Sequence, residues 1–239
     1  MPTRVFAPLL LLLLLLLLAP WHPRPGAAQQ PRSAAPRHVA VLLDGPSPFN
    51  DSLRAAFVRE VDAFSGAEPP VDFPPALTLA ADWTPAGVAA AVDRLLGEPG
   101  ADLVLALGPI GSNALAHRRT LPKPAIASLI IDAALQDVPS RAGTSGVRNL
   151  TYVNVAYSGA RTLALFHDIV AFRRLAVLVH PGLLAAVPAL RERAASLEAS
   201  LGATIVMVGV TGSAADALRA LPADADAVYL TPLEQLPSS

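Results

Sequence analysis

Cysteine is absent from the 239 residues, and lysine occurs only once, at Lys123. The lack of cysteine excludes disulfides, thiolate metal sites, a cysteine nucleophile and a lipid-anchoring cysteine. Charged residues make up only 15% of the chain and the formal net charge is −1, so the basic surface of a nucleic-acid-binding protein is missing. Hydrophobic residues make up 53%, which excludes an intrinsically disordered chain and favours one large domain or two small ones.

Sequence signatures of catalysis are also missing. No predicted strand is followed by Gly-x-Gly-x-x-Gly, no Walker loop is present, and no serine lies in a Gly-x-Ser-x-Gly turn. The histidines have no metal-ligand spacing; they are His22, His38, His117, His167 and His180. We therefore expect a protein that is not an enzyme and that uses no cofactor or metal.

The first 28 residues are typical of a secretory signal peptide. Arg4 precedes an apolar run of 15 residues (5–19), and small residues precede a cleavage site after Ala28. This run is shorter than the roughly 20 residues that a helix needs to span a bilayer, which favours cleavage over an uncleaved membrane anchor. We expect a signal peptide at residues 1–28 and a linker at 29–36. The mature protein would be periplasmic, would not be a lipoprotein and would not insert into the membrane.

After the leader, short apolar runs alternate with segments of helical periodicity. Runs such as residues 38–44 and 102–108 predict buried strands, and the segments between such runs predict helices, including one over 184–201. This alternation indicates right-handed βαβ units, and hence an α/β fold of two doubly wound parallel-sheet lobes. With three predicted strands, the second lobe is expected to be incomplete at its C-terminus. The predicted boundaries are 37–132 for the N-terminal lobe, 133–156 for a crossover or hinge, and 157–239 for the second lobe.

Two turns of the first lobe are candidate ligand contacts. Ligands of open parallel sheets bind beyond the carboxyl ends of the strands, where the strand order reverses. We expect that point between the strands that end at Asp44 and Gly108, each of which leads into a helix. Unpaired amides at a helix start favour a carboxylate or another anion, although Ser47 and Ser112 could instead simply cap their helices. The candidate contacts in these turns are Asp44, Ser47, Pro109, Ile110, Gly111 and Ser112.

Three further strand ends complete the candidate site. Asp132 brings a carboxylate to the same edge of the first sheet, and His180 and Thr231 end strands of the second lobe. For His180 alone, a histidine that is satisfied within its loop is the simpler interpretation. Nearby leucines would either form an apolar wall or pack into the core of the second lobe; they are Leu183, Leu184 and Leu233. The hypothesis is a ligand with an anionic or polar end on the first lobe and an apolar body.

The chain resembles the type I periplasmic binding proteins, in the branch of ABC-transporter substrate-binding proteins that includes aromatic amino-acid binders. The resemblance covers about residues 37–239. The segments that carry it are Asp-Leu-Val-Leu-Ala-Leu-Gly-Pro-Ile-Gly-Ser-Asn-Ala-Leu-Ala (102–116), Leu-Pro-Lys-Pro-Ala-Ile-Ala (121–127), Val-Arg-Asn-Leu-Thr (147–151), Phe-Arg-Arg-Leu-Ala-Val-Leu-Val (172–179) and Ala-Asp-Ala-Val-Tyr-Leu-Thr (225–231).

The resemblance implies two lobes that close on a small molecule and present it to a membrane permease. It places the contacts at the strand ends named above. The second-lobe loops, Pro-Gly-Leu-Leu at 181–184 and Pro-Leu at 232–233, are more apolar than is usual in the family. We therefore expect an exported solute-binding protein that captures a small, partly apolar molecule for an ABC-type transporter, with no nucleic-acid partner. The alternative is a periplasmic sensor, or an accessory module of an envelope or efflux complex, with no transported ligand.

Overall fold

The structure is a computed structural model that describes residues 35–64, 70–155 and 159–236. The predicted signal peptide at 1–28 and most of the predicted linker at 29–36 lie outside the described residues. Within the part of the chain that the structure describes, no helix is long and apolar enough to cross a membrane.

Two parallel sheets organise the described residues. The first sheet consists of β1 (Arg37–Leu43), β2 (Val71–Asp72), β3 (Thr78–Ala80), β4 (Leu103–Ala106), β5 (Ala125–Ile130) and β6 (Leu150–Asn154). The second sheet consists of β7 (Arg174–Val179), β8 (Thr204–Gly209) and β9 (Ala227–Leu230), in the order β8-β7-β9. We call the part of the chain that contains β1 to β6 the first lobe and the part that contains β7 to β9 the second lobe.

The strand order of the first sheet reverses at β1. This strand pairs with β4 on one side, and with β2 and then β3 on the other, while β5 and β6 continue the sheet beyond β4. The switch point therefore lies between the carboxyl ends of β1 and β4, as the sequence predicts. β6 comes from the predicted crossover segment 133–156 and pairs with β5, so this segment contributes a strand to the first sheet.

Seven α-helices and one short 3-10 helix (Pro75–Leu77) lie between or beside these strands in the described ranges. The α-helices are α1 (Pro48–Phe64), α2 (Pro85–Gly97), α3 (Pro109–Ala116), α4 (Gly159–Val170), α5 (Pro181–Ala186), α6 (Ala189–Leu201) and α7 (Ala214–Arg219). Local sequence signals set several of their starts. The Thr84 side chain accepts a hydrogen bond from the Gly87 amide, and Pro85 occupies the first helical position of α2. At α7, Ser213 and Asp216 form a reciprocal capping box.

The single helix predicted over residues 184–201 is wrong, because two helices, α5 and α6, occupy this region. The Val187 amide makes the last hydrogen bond of α5, to the Leu183 carbonyl. Pro188 has no amide hydrogen, and its ring would collide with the carbonyl of residue 184 in a continuous helix. The chain therefore turns at 187–188 before α6 begins.

Helices cover both faces of each sheet. In the first lobe, α2 and α3 pack on one face and α1 packs on the other. In the second lobe, α4 and α6 pack on one face and α7 on the other. Residues 39–43 of β1 are all buried, which explains why this strand is a continuous apolar run instead of an alternating one. The fold class predicted from the sequence, an α/β protein with two doubly wound parallel-sheet lobes, is confirmed.

Candidate functional site

A cavity of about 520 Å³ lies between the two lobes and is lined by residues of both. Its volume falls within the range of roughly 300–1,000 Å³ that is usual for small-molecule sites. The lining is mostly apolar, and the second lobe supplies the larger apolar wall. Side chains of that wall include Leu163, Val177, Leu190, Leu197, Ile205 and Met207.

Six of the nine candidate contacts line this cavity, namely Asp44, Pro109, Ile110, Asp132, His180 and Thr231. The other three, Ser47, Gly111 and Ser112, are buried and do not line it. The structure thus brings together strand ends that are far apart in the sequence. A role of the six in contacting a ligand stays a prediction.

The Asp44 carboxylate accepts hydrogen bonds from the amides that were expected to be free at the start of α3. The Ile110 amide donates to Asp44 Oδ2 at 2.7 Å, and the Gly111 amide donates to Asp44 Oδ1 at 2.7 Å. The Ser112 amide donates to the Gly108 carbonyl at 3.0 Å, within the helix. The prediction of free donors for an anion is therefore wrong. Parallel pairing of β1 with β4 brings Asp44 to this helix start. The Asp44 carboxylate therefore takes the place that an anionic ligand was expected to take.

Close packing at this point requires glycine before α3. A Cβ atom on Gly108 would lie 2.3 Å from Asp44 Cγ, far inside van der Waals contact. Any larger residue would push the carboxylate away from the two amides.

Ser47 and Ser112 have structural partners. Ser47 Oγ accepts a hydrogen bond from the Asn50 amide at 3.1 Å, so this residue caps α1. Ser112 Oγ accepts from the Leu129 amide at 3.0 Å and thereby joins α3 to β5. The capping interpretation therefore accounts for Ser47, and packing between α3 and β5 accounts for Ser112.

The remaining polar candidates also have intramolecular partners. His180 precedes α5, and its Nδ1 accepts from the Gly182 amide at 3.0 Å. Burial lowers the pKa of His180, so its imidazole is neutral at pH 7. Asp132 Oδ1 accepts from the Leu135 amide at 2.9 Å, and Thr231 Oγ1 donates to the Leu178 carbonyl at 2.9 Å. Each side chain is held in a defined position at the cavity wall.

The helix α5 joins the two lobes. It follows β7 of the second lobe but contacts α2 and α3 of the first. Asn113 Nδ2 donates to the Ala186 carbonyl at 3.0 Å, and the His180 ring lies against the Trp83 indole with 5.2 Å between ring centroids. A Cβ atom on Gly182 would lie 1.9 Å from the Trp83 carbonyl oxygen, so only glycine allows the backbone at these two positions to approach so closely.

The three leucines expected to form the apolar wall have different surroundings. Leu183 lines the cavity and packs against the core of the first lobe, not of the second. Leu184 is buried and does not line the cavity, and Leu233 packs against the core of the second lobe. The apolar wall is formed instead by α4, α6 and the sheet of the second lobe.

Glu234 is a cavity residue that sequence reasoning missed. It follows β9 by four residues and lines the cavity together with Asp44. Burial raises the pKa of Glu234 to about 7, and the negative charge of Asp44 adds to this effect. Burial also raises the pKa of Asp44 to about 6, although the amides of Ile110 and Gly111 oppose the shift. Sequence reasoning could have identified Glu234 from its position just beyond Thr231, a strand end that was already a candidate.

Trp83 and Arg193 were also missed. Trp83 lies in the loop before α2, where its amide donates to the Asp44 carbonyl at 2.8 Å, and Arg193 is an exposed residue of α6. Both line the cavity. Among the described residues, no group of three or more His, Cys, Asp or Glu side chains could hold a metal ion.

No family model matches the sequence, and no curated protein matches it. Solved structures with a similar fold include the following two. A conserved domain protein from Vibrio cholerae O1 biovar eltor has a TM-score of 0.56 and 20% sequence identity, over 77% of this chain and 60% of that chain. The ABC domain in complex with L-Trp from Streptococcus pneumonia has a TM-score of 0.59 and 17% identity, over 84% of this chain and 66% of that chain.

This chain therefore spans about 60–66% of the length of the two structures that it matches. At these identities the similarity shows the fold alone: two α/β lobes with parallel sheets, as the sequence predicts. Membership of the type I periplasmic binding proteins, and of their ABC-transporter branch, stays a prediction.

Proposed function

We propose that the protein is an exported solute-binding protein, which captures a small, partly apolar molecule between its lobes and presents it to the permease of an ABC-type transporter. The observation that carries this proposal is the cavity of about 520 Å³ whose walls come from both lobes. A largely apolar cavity with a few converging polar groups is the usual form of a small-molecule site. The complex of one similar structure with L-Trp supports the same interpretation.

Binding in this arrangement would act through closure of the lobes. A molecule in the cavity would contact the strand ends of the first lobe and the apolar wall of the second at the same time. Such a ligand binds the closed form better than the open form and shifts the population towards closure. The contacts of α5 with α2 and α3 would already align the lobes. No catalytic step is part of the proposal.

The proposal also includes the route of export. The apolar run at residues 5–19 and the small residues before the site after Ala28 support cleavage of a signal peptide at 1–28. The mature protein would then work in the periplasm, with 29–36 as a linker and 133–156 as the segment that leads from the first lobe to the second.

A thermal-shift screen of the full chain tests the binding proposal. Small amines, carboxylic acids, amino acids and neutral aromatic compounds would be screened, because a ligand at 100 times its Kd adds about 2.7 kcal/mol to the free energy of unfolding. Ala160→Trp should abolish the shift, because Ala160 lines the cavity and the indole would occupy part of the space that the ligand needs. Ala164→Trp, one turn further along α4 and outside the cavity lining, is the matched control and should keep the shift. Equal binding by both variants would place the site elsewhere.

A further inference from the structure

We infer that the cavity selects an organic cation, a protonated amine with an apolar body, in preference to a carboxylate or a zwitterionic amino acid. This inference rests on the proposed function, since it names the ligand class of the same cavity. It narrows the sequence hypothesis of an anionic or polar ligand end to a cationic one.

The backbone amides at the start of α3 already have acceptors. The amides of Ile110 and Gly111 both donate to the Asp44 carboxylate at 2.7 Å. A ligand carboxylate placed here would find no free amide and would lie against a buried side chain that bears the same charge. Like charges at close range in a poorly solvated site are strongly unfavourable. The helix start therefore excludes an anion instead of binding one.

Carboxylates outnumber cationic side chains in the cavity lining. Its titratable lining residues are Asp44, Asp132, His180, Arg193, Tyr229 and Glu234. Three of the six are carboxylates, and the one guanidinium belongs to an exposed residue of α6. His180 is neutral at pH 7, because burial lowers its pKa. The lining thus carries an excess of negative charge, and its most deeply buried charged group is Asp44.

The Glu234 carboxylate lacks a hydrogen-bond donor in the part of the cavity that the structure describes. Within the described residues, Glu234 makes no side-chain hydrogen bond or ion pair, and the charge of Asp44 works against its ionisation. An ammonium group offers up to three donors and one positive charge, and it would supply the partner that Glu234 lacks.

The aromatic lining fits the same ligand class. Trp83 lies beside Asp44, to whose carbonyl its amide donates, and this residue lines the cavity. An ammonium group next to an indole face gains a cation–π interaction of the kind that many amine sites use. The apolar wall of the second lobe, with Leu163, Val177 and Met207, would then receive the body of the ligand.

Isothermal titration calorimetry at pH 8 with three indole compounds tests the inference. Tryptamine carries an amine, L-tryptophan carries an amine and a carboxylate, and indole-3-propionate carries a carboxylate, while the indole body stays the same. At pH 8 both cavity acids are ionised, because their pKa values are about 6 for Asp44 and about 7 for Glu234. We expect tryptamine to bind at least about tenfold more tightly than either of the others, the usual effect of one charge-assisted hydrogen bond.

Two variants assign the effect to the cavity. Glu234→Gln removes one carboxylate and should weaken tryptamine binding about tenfold. It should strengthen the binding of indole-3-propionate, because the variant no longer places a like charge near the ligand carboxylate. Glu192→Gln is the control, because Glu192 is an exposed residue of α6 outside the cavity lining, and it should leave tryptamine binding unchanged.

The outcomes separate this inference from the proposed function. Tightest binding by the acid or by tryptophan, or equal tryptamine binding by Glu234→Gln and the parent, overturns the inference and leaves solute binding intact. The same holds if the general screen finds acids or neutral compounds whose binding Ala160→Trp abolishes, but finds no such amine. If no compound of any class binds in a way that Ala160→Trp abolishes, the proposed function fails as well.

Discussion

Asp44 and Asp226 make the same pair of hydrogen bonds in opposite environments. Each carboxylate accepts two consecutive backbone amides, from Ile110 and Gly111 in one case and from Arg173 and Arg174 in the other. At Asp226 these bonds lower the pKa of the carboxyl group. The side chain is exposed, so burial does little to oppose them. At Asp44 burial outweighs the bonds and raises the pKa to about 6. Solvation, more than hydrogen-bond geometry, therefore decides the charge of Asp44 near neutral pH.

The two aspartates provide a matched test at the residue scale. Asp44→Ala leaves two buried amides without an acceptor and should lower the free energy of unfolding by about 1–3 kcal/mol. Asp226→Ala should have a smaller effect, because water can reach the amides that it exposes. Urea denaturation at pH 5 is the measurement. Asp44 is mostly protonated at this pH, so its replacement removes no buried charge that would offset the loss of the two hydrogen bonds. A larger loss in Asp226→Ala than in Asp44→Ala would contradict the assignment.

At the scale of elements, α5 is the helix whose stability depends most on tertiary contacts. It is a helix of six residues, too short to be stable alone, and it continues the chain of the second lobe. Its stability comes from packing against α2 and α3 of the first lobe and from the His180 cap. Gly182 makes this packing possible, because its α-carbon lies against the Trp83 backbone.

Gly182→Ala should therefore loosen the contact between the lobes. The added methyl group would lie 1.9 Å from the Trp83 carbonyl oxygen, and backbone there has to move. We expect a loss of about 1–3 kcal/mol of unfolding free energy, as is usual for overpacking.

Gly97→Ala is the control for this prediction. A Cβ atom at position 97, at the end of α2, has nothing within 4 Å, so this change should be neutral or slightly stabilising. Urea denaturation of both variants and the parent is the measurement. Indistinguishable midpoints for Gly182→Ala and Gly97→Ala would show that the lobes do not meet as described.

At the scale of the whole molecule, the two cavity acids make stability depend on pH. The folded protein binds protons more tightly than the unfolded chain at Asp44 and Glu234, because both pKa values are raised, to about 6 and about 7. Their stabilising contribution is complete below the unfolded values of 3.8 and 4.5 and is lost as the pH rises through the folded values. We therefore expect the free energy of unfolding to fall between about pH 4 and pH 7.

Variants that cannot titrate identify the source of this slope. Asp44→Asn should flatten the lower part of the decline and Glu234→Gln the upper part. Asp102→Asn should leave the decline in place, because the His38 amide lowers the pKa of this exposed carboxylate, which therefore titrates below the window. Urea denaturation at a series of pH values measures all three, and a slope that survives in both cavity variants would rule out the two acids as its cause.

Sequence alone determined the order and kind of most elements. Apolar runs such as residues 38–44 and 102–108 predict strands, and the parallel arrangement follows from the helices between them. These features depend on residues close together in the chain, so local periodicity and capping are enough to find them. The general rule for strand ends then placed six of the nine candidate residues at the cavity.

Only the tertiary structure decided which groups at those strand ends are already paired. Asp44 and Ile110 are 66 positions apart, and nothing local to either shows that the carboxylate would take the amide. The docking of α5 on the first lobe and the approach of Glu234 to Asp44 likewise join segments that are distant in the chain. Burial and pairing depend on such contacts, and they set the charge of a site. The location of the cavity was therefore predictable from the sequence, whereas its preference for a cation is an inference that only the folded chain allows.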